Sequence, residues 1–333
     1  MNVFVQTNEM DTNRVLAFRR NADGTLEQLG SYETGGAGDG VPHLTSQGSV
    51  VLTGDGRLLV TNAGSGELTL FDVGADGLEL VQTISSGGAA PKSVTEHDGL
   101  VYALNTGDPS LAGFRLARQG LEPIGVTPLP PGSDPAQVGF TPDGATLVVT
   151  NRGTNSIALY PVDADGRLGE PQLQHSSGPT PYGFAFTGDG TLLVTEAFGA
   201  EKGKAAASSY RVGGGSATPV SRSVGNGRSE ICWAVVSKDG RYVFTTNFAD
   251  GAVSRYSIGA DGSITLDDAV AGAAVEGKAG LRDEDLTADG DFLYAIDADA
   301  GRIFGWAIGE AGTLTAVGSW DGIPATVAGL AAS

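Results

Sequence analysis

Glu196 sits at a position that invites a chemical role. At matching places elsewhere the chain carries Asn8, Asn62, Asn105, Asn151, Asn247 and Asp297. A glutamate there sets a longer acidic arm at the end of a short apolar run and is a candidate general base. A salt bridge within the following loop is its structural alternative. Arg152, directly after Asn151, is the second candidate catalytic group, a cation able to meet developing negative charge. Lys92, Gln137, Tyr182, Trp233, Arg282 and Asp283 open or precede comparable apolar runs, and His43 precedes one more. Together they suit a small, oxygen-rich, anionic molecule, with the cations drawing it to an otherwise acidic chain.

Other chemistries lack their residues. No Gly-x-Ser-x-Gly elbow, phosphate loop or dinucleotide fingerprint occurs at a strand-to-helix junction. No acidic spacing resembles a calcium loop. One cysteine, Cys232, and three histidines, His43, His97 and His175, leave no disulfide and no cysteine-built zinc site. No cofactor and no metal is expected. A net charge of −19 argues against nucleic acid and anionic membranes as partners. No run reaches the length of a membrane span, and the first residues lack a signal peptide's basic start and apolar core. A monomeric, cytoplasmic protein acting on a small-molecule substrate is expected.

The elements that must position these residues are short. The chain of 333 residues has 52 glycines, and its apolar runs of four to six residues are separated by glycine turns, a β pattern. An aromatic recurs at Phe18, Phe71, Phe114, Tyr160, Tyr210, Tyr256 and Trp306. The Asn column precedes it. Asp-Gly pairs recur at 55, 98, 143, 189, 239 and 289, a strong hairpin signal. Each unit reads as strand, Asp-Gly turn, strand ending in Asn, loop, aromatic strand, strand. Seven such units predict an all-β, seven-bladed β-propeller of four-stranded antiparallel blades, a single domain over 1–333. Two open β-sandwiches are the alternative. The unit lacking its Asp-Gly is accounted for if Pro324–Ala328 supplies a first strand beside Val3–Val5, pairing the chain ends and closing the ring.

In that architecture first strands line the channel. First-strand starts and second-strand ends share one face, because paired neighbours are antiparallel. The candidate residues above belong to this rim, where the deepest cavity is expected, carrying Lys92, Gln137, Tyr182 and Glu196. The 197–208 insertion, with Lys202 and Lys204, reads as a mobile gate beside it. The column asparagines are read chiefly as turn residues. The aromatic column reads as inter-blade packing, Cys232 as buried packing and His97 as solvated on the opposite face.

Thr141-Pro142-Asp143-Gly144, Val148-Val149-Thr150-Asn151 and Val162-Asp163-Ala164-Asp165-Gly166-Arg167-Leu168, with similar runs in other units, resemble the seven-bladed β-propeller lactonases. That family includes bacterial 6-phosphogluconolactonases and fungal carboxymuconate-lactonizing enzymes. Ser46-Gln47-Gly48-Ser49 and Cys232-Trp233-Ala234-Val235-Val236 resemble a divergent bacterial subgroup. The resemblance implies hydrolysis of a small sugar- or carboxylate-derived lactone. Glu196 would then be the base, with Lys92, Arg152 or Arg282 binding the oxyanion or a carboxylate, and Tyr182, Gln137 and Trp233 positioning the ring. The family's Pro-Arg-His is replaced by Pro181-Tyr182-Gly183, and Asn-Glu by Glu196-Ala197, so no catalytic role transfers directly. A lactonizing or isomerising enzyme, or a non-catalytic propeller binding a small molecule or protein, are the alternatives.

Overall fold

Hairpin chemistry decides the local structure. In blades 2, 4, 6 and 7 the turn after the first strand is a Thr/Ser-x-Asp-Gly unit. Its hydroxyl donates to the aspartate: Thr53 to Asp55 at 2.6 Å, Thr141 to Asp143 at 2.7 Å, Ser237 to Asp239 at 2.7 Å and Thr287 to Asp289 at 2.6 Å. Thr187 and Asp189 repeat this in blade 5. Blade 3 uses a two-residue loop, Asp98-Gly99, between paired His97 and Leu100. Both loop residues have positive φ (47° and 79°), the conformation that matches the right-handed strand twist.

The computed structural model describes residues 1–41, 47–275 and 277–333. It contains seven four-stranded antiparallel sheets, six of them ordered along the chain from inner to outer strand and the seventh with the chain's last strand innermost. The inner strands are Ala328–Ala332 in blade 1, Val50–Leu52 in blade 2, Pro91–His97 in blade 3 and Pro135–Phe140 in blade 4. Pro181–Phe186, Ile231–Val236 and Leu281–Leu286 serve blades 5, 6 and 7. Blade 1 is shared between the chain ends: Val3 pairs with Ala332 and Val5 with Leu330. The closing strand lies a few residues beyond the expected Pro324–Ala328. Pro324 instead starts a turn, its carbonyl accepting from the Val327 N–H at 3.0 Å, and only after that turn does the chain align with Asn2–Gln6. Among the described residues no helix is long and apolar enough to cross a membrane.

The aromatic column packs between blades. Phe71 joins Phe4, Val15, Val50 and Leu58 across blades 1 and 2, and Tyr210 joins Val148, Ile157 and Phe184 across blades 4 and 5. In six blades the pairing of third and fourth strands shifts register immediately before the aromatic, as at Ala17/Phe18, Leu70/Phe71 and Gly305/Trp306. A bulge there increases local twist, which lets each ring settle against the next sheet.

Candidate active site

First-strand starts and second-strand ends do meet on one face. Pro135 pairs with Asn151, Pro181 with Glu196 and Leu281 with Asp297. Tyr182, Trp233 and Cys232 are buried together there with Ala136 and Ala197, against Phe248. The Tyr182 and Trp233 ring centroids are 4.8 Å apart. The Arg152 guanidinium lies 5.2 Å from the Tyr182 ring and its Nη2 is 2.7 Å from Asp134 Oδ1. Arg282 lies 5.5 Å from the Phe248 ring. Burial pushes the Cys232 thiol up to about 12, so it is an inert packing group.

Arg282 is 4% exposed, and its Nε and Nη1 find no hydrogen-bond partner. Asp297 is 1% exposed; its Oδ1 accepts from the Ala300 N–H at 2.9 Å, while Oδ2 has no partner. Burial raises the Asp297 carboxyl above its ordinary value, and the Arg282 charge partly opposes that shift. Arg282 feels the charge of Asp299 first and that of Asp297 more weakly, and donors and an acceptor are left over.

Glu196 occupies a different setting from the one expected of a base. It is fully buried. Its Oε1 accepts from the Gly178 N–H at 2.7 Å, Ser208 Oγ at 2.7 Å and Ser176 Oγ at 3.3 Å, and its Oε2 from Ser223 Oγ at 2.7 Å. Ser208 and Ser223 belong to the third and fourth strands of its own blade, so the carboxylate points outward along the sheet, away from the channel. The column asparagines do the same work. Asn62 binds Asn13, Thr34 and Thr69 at 2.7–2.8 Å, and Asn247 binds Asn226 and Ser254 at 2.9 Å. Glutamate is needed in blade 5 because more donors converge there. Glu196→Ala is expected to destabilise the fold by about 3 kcal/mol or more, since several buried donors lose their acceptor. The activity of the folded fraction should be unchanged; denaturant titration beside specific-activity measurement separates the two.

The remaining candidates are dispersed. Lys92 Nζ is engaged by Asp39 Oδ2 at 3.0 Å. The Gln137 amide clamps blade 4 to blade 5, donating to the Phe184 carbonyl at 3.0 Å and accepting from its N–H at 2.6 Å. Asp283 Oδ1 accepts from the Glu284 N–H at 3.0 Å and Oδ2 from the Leu330 N–H at 3.3 Å. His43 lies outside the described residues. The 197–208 segment is tied down rather than free. Gly199 N–H donates to Thr180 Oγ1 at 3.0 Å, Gly203 N–H to Ser229 Oγ at 3.0 Å, and Ala205 N–H to the Arg228 carbonyl at 3.1 Å.

The channel cavity is on the other side. A space of about 580 Å³ is lined by the turn-side halves of the inner strands, including Leu52, His97, Phe140, Phe186 and Leu286, together with Gln47, Gln137 and Asp283. Of the expected rim residues Gln47, Gln137 and Asp283 reach it; Lys92, Tyr182 and Glu196 do not. The reason is steric. Tyr182, Trp233 and Arg282, all buried, narrow the rim end. Gln47 spans the channel, donating from Nε2 to the Ala234 carbonyl in blade 6 at 2.9 Å. Gly139, Ala185 and Val94 leave the turn end open. His97, expected to be solvated, is half-buried at this mouth, 5.6 Å from the Phe140 ring.

Glu284 and Asp285 also line this space. Three consecutive acids in one inner strand, Asp283-Glu284-Asp285, were the available signal. Burial first, and neighbouring carboxylates second, push Asp283 and Glu284 well above the carboxylate range, and burial brings Asp285 up to about 7. The folded chain thus keeps protons that the unfolded chain loses near pH 4, so stability falls as pH rises through the folded values. Within this cavity Glu96 and His97 are the other titratable groups. Glu284→Gln is expected to raise Tm at pH 8 and leave it nearly unchanged at pH 4, where the folded wild-type carboxyl is itself neutral. An equal shift at both pH values in scanning calorimetry would rule out an electrostatic origin.

A family model described as lactonase, 7-bladed beta-propeller matches residues 2–120, 119–197 and 195–325. No curated protein sequence matches the chain. Similar solved structures include a periplasmic gluconolactonase of Pseudomonas aeruginosa, with 19% identity over 98% of both chains and a TM-score of 0.75. A provisionally assigned 6-phosphogluconolactonase of Bacteroides fragilis shares 17% identity over 99% of this chain and 97% of that one, with a TM-score of 0.75. A protein of unknown function from Desulfotomaculum acetoxidans shares 16% over 98% of each, with a TM-score of 0.76. The structural likenesses speak for the fold, and the family match runs through nearly every blade: the chain belongs to the lactonase family of seven-bladed β-propellers.

Proposed function

We propose that this protein hydrolyses the ring ester of a small lactone at the rim, over Arg282 and Asp297. The observation that carries the reading is two buried groups at this end of the channel, a guanidinium with Nε and Nη1 unpartnered and a carboxyl with Oδ2 unpartnered. Unmatched buried polar atoms are costly, and a ligand that supplies their partners removes that cost. In the reaction Asp297 takes a proton from water as the water oxygen bonds to the carbonyl carbon. Arg282 meets the charge that develops on the carbonyl oxygen. The C–O ring bond then breaks, and the departing ring oxygen takes up a proton, giving the hydroxy acid. A carboxyl raised by burial is a stronger base than an ordinary aspartate. Arg152, over the Tyr182 ring, is suited to an anionic substituent, and the Tyr182–Trp233 pair to the face of the sugar or alkyl ring.

The names carried by the Pseudomonas and Bacteroides structures make sugar lactones the first substrates to try. The test is proton release at constant pH over a panel of δ- and γ-lactones, with and without a phosphate or carboxylate substituent. Saturable turnover above the spontaneous rate, with anionic members preferred, is the expected result. An inert protein across the panel would overturn the reading.

A further inference from the structure

We propose that the turn-side half of the channel is a binding site for a small organic ammonium ion, separate from the rim. Its lining carries four carboxylates, Glu96, Asp283, Glu284 and Asp285, and contains no lysine or arginine among the described residues. The sign of the ligand follows: an anion would hold these carboxyl groups further in their neutral form, whereas a cation stabilises their ionised form and is drawn in as they give up their protons.

Two of these carboxylates are fixed in place by backbone. Asp283 is held by the Leu330 and Glu284 amides. Asp285 accepts from the Ala332 N–H at 2.9 Å and the Leu286 N–H at 2.8 Å. Leu330 and Ala332 lie on the strand that closes the ring, so ring closure and the acidic wall are one construction. Glu284 stands apart. It is 1% exposed, lines the cavity, and neither Oε has a hydrogen-bond partner of ordinary geometry. The nearby Thr246 N–H only partly favours its charged form. A carboxylate left in this state lacks the donors that a buried charge requires, and an ammonium group brings two or three N–H bonds together with a counter-charge.

The rest of the wall says what kind of cation. Phe140, Phe184 and Phe186 line the space beside Val51, Val94 and Leu286. Aromatic faces attract a cation and accommodate its carbon chain. A cavity of about 580 Å³ exceeds what a bare ion fills, and no group of three His, Cys, Asp or Glu converges closely enough to grip a metal among the described residues. An alkylammonium of several carbons satisfies charge, donors and apolar wall together.

Isothermal titration at pH 8 with n-butylammonium chloride tests this on the full chain, with 1-pentanol as the neutral comparator and calcium chloride as the metal. Saturable one-to-one binding of butylammonium alone is expected, weakened about tenfold or more in Glu284→Gln by loss of a charged hydrogen bond. Asp285→Asn is the second variant should the first fail to fold, and the wild-type comparison of amine with alcohol needs neither. Pentanol binding as tightly would mean a merely apolar cavity. Calcium binding lost in Glu284→Gln would mean a metal site. Absence of saturable binding by butylammonium would likewise overturn the assignment. Lactone turnover is read separately at the rim, so an inert enzyme that still binds the amine leaves this site standing.

Discussion

Asp297→Asn is expected to lower kcat on any accepted lactone by about 10²- to 10⁴-fold, the usual contribution of a positioned general base. The variant is chosen because the fold already tolerates it. Asparagine is the residue that most blades carry at this position, and its side-chain oxygen can still accept from the Ala300 N–H as Asp297 Oδ1 does. Gly280 packs against this side chain so closely that a Cβ there would lie 2.0 Å from Oδ1, and asparagine has the same size. What the substitution removes is the proton-accepting power of Oδ2. KM should change little, because Arg152, Tyr182 and Trp233 remain. Unchanged kcat in Asp297→Asn, with the protein folded by circular dichroism, would remove Asp297 from the mechanism. The same kinetics in Arg282→Gln would then show whether the guanidinium acts alone.

Deleting residues 328–333 is expected to abolish the native fold rather than trim a tail. Those residues form the inner strand of blade 1 and pair with Asn2–Gln6. Leu330 and Ala332 are buried with Val3, Val5, Phe292 and Tyr294 between blades 7 and 1. The loss is threefold. Burying one large aliphatic side chain contributes roughly 1.5–3 kcal/mol. The amides of Leu330 and Ala332 no longer meet Asp283 and Asp285, leaving two buried carboxylates with fewer donors. Asn2–Gln6 becomes an open edge that templates association. Against a total stability of about 5–15 kcal/mol for a typical domain, these terms suffice to unfold it. Size exclusion and thermal melts of the truncated chain check this; a monodisperse protein melting within a few degrees of the full chain would refute it.

Fold and site differ in how far they were legible. The aromatic column, the Asp-Gly hairpins and the seven-fold count could be read directly because they depend on neighbours within about ten residues or on a period. The face shared by first-strand starts and second-strand ends followed from antiparallel pairing alone. Glu196 misled because its difference from asparagine was read as a chemical departure. Its reason is a set of donors from Ser176, Gly178, Ser208 and Ser223, which converge only once the connector entering blade 5 folds against that blade's third and fourth strands. Asp297, the other acid of that column, had the weaker sequence signal and the freer oxygen.

The sequence by itself determined the number of blades, their turn chemistry and the pairing of the chain ends. These are properties of short segments repeated along the chain, and local hydrogen bonding and side-chain alternation dictate them. Tertiary structure alone decided which end of the channel is open and which polar groups are left unmatched. Gln47 reaches blade 6 from the start of blade 2, and Tyr182 meets Trp233 from the next blade. Burial and hydrogen-bond saturation are sums over contacts between blades, and no single blade's sequence contains the partners that complete them.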